Sequence, residues 1–156
     1  MNTNSFKTLL PNETATLNLG KKIAILSKNK KTIKIGLSGD LGTGKTTLCR
    51  GFLQALGYQD PIKSPSYSLV ESYYLSSCIV HHFDFYRISK LEELEFIGLR
   101  DYFSINAFYL LEWANKSYEM FPSMDIHLWL AYHKEEYRIA EITASSKIRR
   151  NLLSLM

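Results

Sequence analysis

One octapeptide constrains this chain more than any other stretch: Gly39-Asp40-Leu41-Gly42-Thr43-Gly44-Lys45-Thr46. It meets the pattern G-x-x-x-x-G-K-[ST] at every fixed position. At ordinary residue frequencies a random chain of this length carries that pattern roughly once in 200 cases. The flanks narrow it further. Thr32-Ile33-Lys34-Ile35-Gly36-Leu37-Ser38 alternates and predicts a strand. Leu48, Phe52, Ala55 and Leu56 recur at helical spacing, and Gly57 supplies a stop. Between strand and helix, three glycines let the backbone curl with its N–H groups inward, and the helix start adds its unpaired donors and positive dipole end. This predicts that Lys45 bridges the β- and γ-phosphates of a nucleotide, that the Thr46 hydroxyl sits on Mg²⁺, and that Thr47 lies near the α-phosphate. The plain alternative is a glycine-rich turn carrying a solvated lysine.

At 156 residues, 1–156 is expected to form one domain, large enough to bury a core without a disulfide or metal staple. The order of elements predicts an α/β fold, with a mixed parallel and antiparallel sheet flanked by helices. Cys49 and Cys78 show no ligand spacing, so a reduced, cytoplasmic protein is the simplest account. The first residues contain no apolar run, and nothing approaches 18 consecutive apolar residues, so neither a leader nor a membrane span is expected. A net charge of +4 tolerates a nucleic-acid or phosphate-rich partner without demanding one. Lys28, Lys30, Lys31 and the pair Arg149-Arg150 read as solvated charge.

In chain order, Asn12 is a good N-cap, with Glu13 suited to the first turn of a helix that places Leu19, Ile23 and Leu26 on one face. Residues 57–66 form a loop punctuated by Asp60-Pro61 and Ser64-Pro65. Residues 67–75 are aromatic and β-branched and predict a strand. Ser76-Ser77 turns it into a second strand, 78–84, and a turn that short forces an antiparallel pair. Residues 89–99 predict a helix, with Ser89 and Glu92 as a capping box and Gly98 at its end. The nearly continuous apolar run 107–112 predicts a strand buried on both faces. Residues 126–132 and 137–143 alternate around a polar turn, and 145–155 predict a closing helix anchored by Leu152, Leu153 and Leu155.

Turnover at a phosphate loop needs a carboxylate for Mg²⁺ and a group to orient water. Two apolar strands end in acids, Asp84 and Glu112. The run before Glu112 is the more apolar, which favours Glu112 as metal ligand and Asp84 as the water-positioning residue, with the swapped assignment open. His81 and His82 point to opposite faces, one expected in the core and one at the surface. Arg87 suits either a phosphate or partner contact or a structural ion pair. Trp113 reads first as core packing, with a place beside the site as the alternative.

Taken together, the loop through Thr47, Lys63-Ser64-Pro65-Ser66-Tyr67-Ser68-Leu69-Val70-Glu71, His82-Phe83-Asp84-Phe85-Tyr86-Arg87, Glu92-Glu93-Leu94-Glu95-Phe96-Ile97-Gly98-Leu99-Arg100-Asp101-Tyr102 and Leu111-Glu112-Trp113 resemble, in that order, the bacterial TsaE (YjeE) family. The resemblance covers roughly residues 11–143. It implies an α/β domain of the P-loop NTPase type and a cytoplasmic ATPase that binds ATP and Mg²⁺ and joins a TsaD–TsaB heterodimer, in which TsaD forms threonylcarbamoyladenosine at position 37 of tRNA. ATP hydrolysis would then support repeated turnover. It also implies Thr46 and Glu112 as Mg²⁺ ligands and phosphate contacts from Gly42, Thr43, Gly44, Lys45 and Thr47. Asp84 would be needed for hydrolysis, and Glu13 and Arg138 would line the nucleotide pocket. The family commonly has Ala at the place of Thr43, and Ser66 and Ser68 stand where it has threonines. The hydroxyls survive, which keeps a switch-loop role open for Ser66. The C-terminal segment matches poorly. Competing readings are a small-molecule or nucleoside kinase, disfavoured by the single arginine in 131–138, and a nucleotide-dependent binding module.

Overall fold

A computed structural model describes residues 5–103, 106–117 and 123–156. Among the described residues seven strands form one sheet: β1 (Ser5–Leu10), β2 (Ile33–Ser38), β3 (Val70–Tyr74), β4 (Ile79–Asp84), β5 (Phe108–Glu112), β6 (Ile126–Tyr132) and β7 (Arg138–Ala144). Their spatial order is β1-β7-β6-β2-β5-β4-β3. The central four, β6, β2, β5 and β4, run parallel, while β3, β7 and β1 are antiparallel to their neighbours. This is the mixed α/β sheet expected from the sequence.

Period-two alternation sorts each strand between two cores. Ile33, Ile35, Leu37, Val80, Phe108, Leu110, Leu128 and Ile142 face one side. There they meet α1 (Glu13–Ser27), α2 (Lys45–Ala55) and α5 (Ser146–Leu153). Phe83, Tyr109 and Leu111 face the other, beneath the short helices α3 (Glu92–Phe96) and α4 (Leu99–Tyr102) and the 3-10 turn Ala114–Lys116. Asn12 caps α1, its Oδ1 accepting from Ala15 N at 2.9 Å. Helices α1 and α2 pack back to back through glycines. A Cβ on Gly20 would stand 2.1 Å from Leu48 O, and one on Gly51 2.1 Å from Leu17 O. No helix among the described residues is long and apolar enough to cross a membrane.

Several local expectations change. Residues 5–10, given no element above, form β1, which pairs with β7 from Ser5↔Thr143 to Leu10↔Arg138. Residues 67–69 are a turn rather than strand. Leu69 has φ 67°, and its N–H bonds Pro65 O at 2.8 Å, so the ladder begins only at Val70. The helix of residues 89–99 breaks into α3 and α4, with Gly98 at φ 66° between them. The cap there is Glu93, not Glu92. Its Oε1 accepts from the Ser89 hydroxyl at 2.7 Å and from Lys90 N at 3.0 Å. Helix α5 ends at Leu153, and of the three leucines only Leu152 is buried, with Ile148 also buried; Leu153 and, beyond the helix, Leu155 are exposed.

Candidate functional site

Residues 39–44 leave the carboxyl end of β2, at the edge of the crevice where open parallel sheets place their sites. Gly39, Gly42 and Gly44 all adopt left-handed φ values of 138°, 74° and 104°. At Gly39 a Cβ would also collide with Leu130 O at 2.1 Å. The loop is held from within: Lys45 Nζ donates to Gly39 O at 2.6 Å and Asp40 O at 2.7 Å, and the buried Thr43 hydroxyl donates to Asp40 O at 2.8 Å. From outside, Tyr132 OH donates to Leu41 O at 2.6 Å and Arg138 to Gly42 O at 3.4 Å. Gly44, the N-cap of α2, contributes no side-chain bond, so the first amides of that helix are not spent on a cap.

The two acids come from adjacent strand ends. Asp84 lies opposite Glu112 in the parallel β4–β5 ladder, and Glu112 lies beside Leu37 of β2. Both Glu112 oxygens accept from Thr46 Oγ1, at 2.9 and 3.1 Å. Asp84 Oδ2 accepts from the Ser64 hydroxyl, and its Oδ1 from Tyr86 N at 2.9 Å. Asp84 and Glu112 are only 3% and 2% exposed. Two withdrawn carboxylates face one ammonium, Lys45. Burial lowers the Lys45 pKa against the opposing pull of Glu112, Asp84 and Asp40.

That imbalance favours a further cation. The donors are hydroxyl and carboxylate oxygens, the hard ligands that Mg²⁺ selects. Adjacent ligands of an octahedral Mg²⁺ stand about 3.0 Å apart, given Mg–O bonds of about 2.1 Å. Thr46 Oγ1 and Glu112 Oε1 already have that spacing at 2.9 Å. The residues present therefore fit the ion.

A cavity of about 380 Å³ opens over this pair, lined by Gly42, Gly44, Lys45, Thr46 and Thr47 on the loop side and by Ser64, Ser66, Asp84, Arg87, Glu112 and Trp113 across from it. Trp113 lines the site and also packs against the second core. It is half-buried with φ 57°, and Lys45 Nζ lies 4.2 Å from its ring centroid. Arg87 stacks on Tyr67, its guanidinium 4.1 Å from the ring centroid. Glu13 and Arg138 line a second hollow of about 230 Å³ on the opposite flank of the loop, with Thr16, Gly42, Thr43, Gly44 and Thr47. Arg50 ties that flank together, donating to Glu13 Oε1 at 2.9 Å and Thr47 Oγ1 at 3.3 Å. Every residue predicted for the site thus falls around the same loop, on two flanks.

The sequence reading missed the support beneath Glu112. Both histidines are buried, contrary to the expectation of one at the surface. His81 lies among Phe83, Tyr102 and Tyr109 on one face. His82, on the other, places Nε2 2.8 Å from Glu112 Oε1. Cys49 is buried beside them; burial first, then the charges of Glu112 and Asp84, push its thiol well above the usual range. Ligand-type atoms of Cys49, His82 and Glu112 all lie within 4.8 Å of one another, a juxtaposition no sequence spacing displays. The available signal was the i, i+2 relation of His82 to Asp84, which puts both on one face of β4. Ser64 carried no such signal.

Comparison with known proteins adds an independent line. Residues 10–142 match the family model described as "Threonylcarbamoyl adenosine biosynthesis protein TsaE". The chain is 43% identical over 148 residues to a tRNA threonylcarbamoyladenosine biosynthesis protein TsaE of Haemophilus influenzae, covering 93% of each chain. It is 30% identical over 139 residues to the protein of that name from Bacillus subtilis, covering 89% of this chain and 84% of the relative. The crystal structure of Bacillus subtilis YdiB superposes with a TM-score of 0.77 at 25% identity, covering 96% of this chain and 92% of the other. A match across most of the chain, in both sequence and backbone, makes it a member of the TsaE family.

Proposed function

We propose that this protein acts in tRNA threonylcarbamoyladenosine biosynthesis as a cytoplasmic, Mg²⁺-dependent ATP-binding and ATP-hydrolysing component, working with a TsaD–TsaB-type heterodimer. The observation that carries the reading is the 2.9 Å contact between Thr46 Oγ1 and Glu112 Oε1 at the mouth of a glycine loop. The names of the relatives support the tRNA-modification context.

In this reading the loop amides and Lys45 bind the phosphates, and Thr46 and Glu112 hold the metal. Mg²⁺ bound there would draw charge from the β- and γ-phosphate oxygens. Asp84, pinned by Ser64 and by Tyr86 N, offers a fixed acceptor to orient the attacking water. Trp113 and Arg87 close the outer wall. Glu13 and Arg138 take the other end of the nucleotide. The kinase alternative is weakened because residues 131–138 are strand ends and a tight turn, where Tyr137 N bonds Lys134 O at 3.2 Å, rather than an arginine-bearing lid.

The test is ATP hydrolysis measured with the protein alone, with tRNA, and with a purified TsaD–TsaB pair. Slow turnover alone and acceleration by the pair is the expected result; completion of such a site by a second component is worth up to ~10³–10⁵-fold. Consumption of ATP only with a small-molecule acceptor would establish a kinase, and no acceleration by any partner would leave a binding module.

A further inference from the structure

We propose that His82 is a positioning residue: its Nε2–H holds Glu112 so that the carboxylate keeps facing Thr46 Oγ1. This rests on the Mg²⁺-nucleotide reading above.

A glutamate side chain has three rotatable bonds, and burial alone does not fix its carboxylate. Glu112 Oε1 receives two donors, Thr46 Oγ1 at 2.9 Å and His82 Nε2 at 2.8 Å. Once Thr46 and Glu112 share a cation, the threonine hydroxyl turns its proton elsewhere. The histidine bond then remains to fix the orientation, as outer ligands of metal sites commonly do. His82 is fully buried on a central strand, so its ring cannot swing away. Its Nδ1 is buried with no partner among the described residues, and the polar contact of the ring there runs through Nε2. Carboxylate oxygens accept, which puts the proton on Nε2.

The geometry separates two conservative substitutions. A glutamine amide nitrogen reaches about as far as Nε2; an asparagine amide stops near Nδ1. Binding of a fluorescent ATP analogue to the whole protein, titrated with Mg²⁺ and repeated in EDTA, is the readout. His82→Asn should raise the Mg²⁺ half-saturation concentration by ~10–100-fold while leaving metal-free binding unchanged. His82→Gln should stay within about threefold of wild type. Equal behaviour of the two variants, or a larger defect in His82→Gln, overturns the proposal. Nitrogen-15 histidine spectra of the wild-type protein check it without any substitution: an Nε2-protonated His82 in the metal–nucleotide state supports it, and an Nδ1-protonated ring overturns it. If the wild-type protein itself binds nucleotide without any Mg²⁺ dependence, the underlying site reading fails instead.

Discussion

On one flank of the loop, Asp84 and Glu112 end two central parallel strands, are almost wholly withdrawn from solvent, and meet partners at fixed short distances. On the other, Glu13 comes from the first turn of α1 and Arg138 from the start of β7; the first is exposed and the second half-buried. The first flank has its geometry set by the sheet register before any ligand arrives. The second is held by bonds open to water, such as Glu13–Arg50, whose side chains are 66% and 36% exposed. Such pairs contribute at most about 1 kcal/mol. Chemistry that tolerates little displacement belongs on the first flank, and recognition that tolerates adjustment on the second.

The comparison breaks most cleanly at Lys45, which serves the loop and the acids together. Lys45→Ala should lower hydrolysis by ~10³-fold or more, because it removes the phosphate charge, releases two loop carbonyls and leaves both carboxylates without their ammonium. Near-normal turnover would refute the site.

Within the buried flank, Glu112→Ala removes the proposed ligand rather than its support and should raise the Mg²⁺ needed for nucleotide binding by ~10²-fold or more, at or above the upper end of what losing a supporting residue costs. Asp84→Ala should leave that requirement within about threefold while lowering turnover by ~10²-fold or more. Metal titrations and single-turnover rates on the two variants decide it; the reverse ranking would exchange the roles of the acids.

The exposed flank should respond least. Glu13→Ala and Arg138→Ala are each expected to weaken nucleotide binding by about three- to tenfold, near 1 kcal/mol, with an unchanged Mg²⁺ requirement. Calorimetry at fixed metal reads this directly. A Mg²⁺-dependent defect in either variant would merge the two flanks into one.

What the sequence made legible follows the same division. The loop, the Asn12 cap, the two-residue turn at Ser76-Ser77 and the acids at strand ends are local patterns, readable from neighbouring residues. The turn is closed by Leu75 N bonding Cys78 O at 2.9 Å. Glu13 and Arg138 entered only through resemblance to a family, since nothing adjacent in sequence ties them to the loop. β1 was invisible because its partner lies at the far end of the chain. The strand reading of 67–69 failed because Leu69 N bonds Pro65 O, a local turn that outweighs aromatic β-propensity. One of the two histidines, His81 and His82, was expected at the surface and neither is, because alternation predicts a solvent face only when a sheet has one. Here α2 covers that face, and both sides of β4 are core.

The back-to-back contact of α1 and α2 at Gly20 and Gly51 leaves no room for even a methyl group. Main chain rests on main chain there, so the gap between Glu13 and Thr47 is fixed by unyielding polypeptide rather than by side groups able to repack. The width of the hollow proposed for the nucleotide is thereby set by main chain next to its own lining, Leu48 following Thr47 and Leu17 following Thr16.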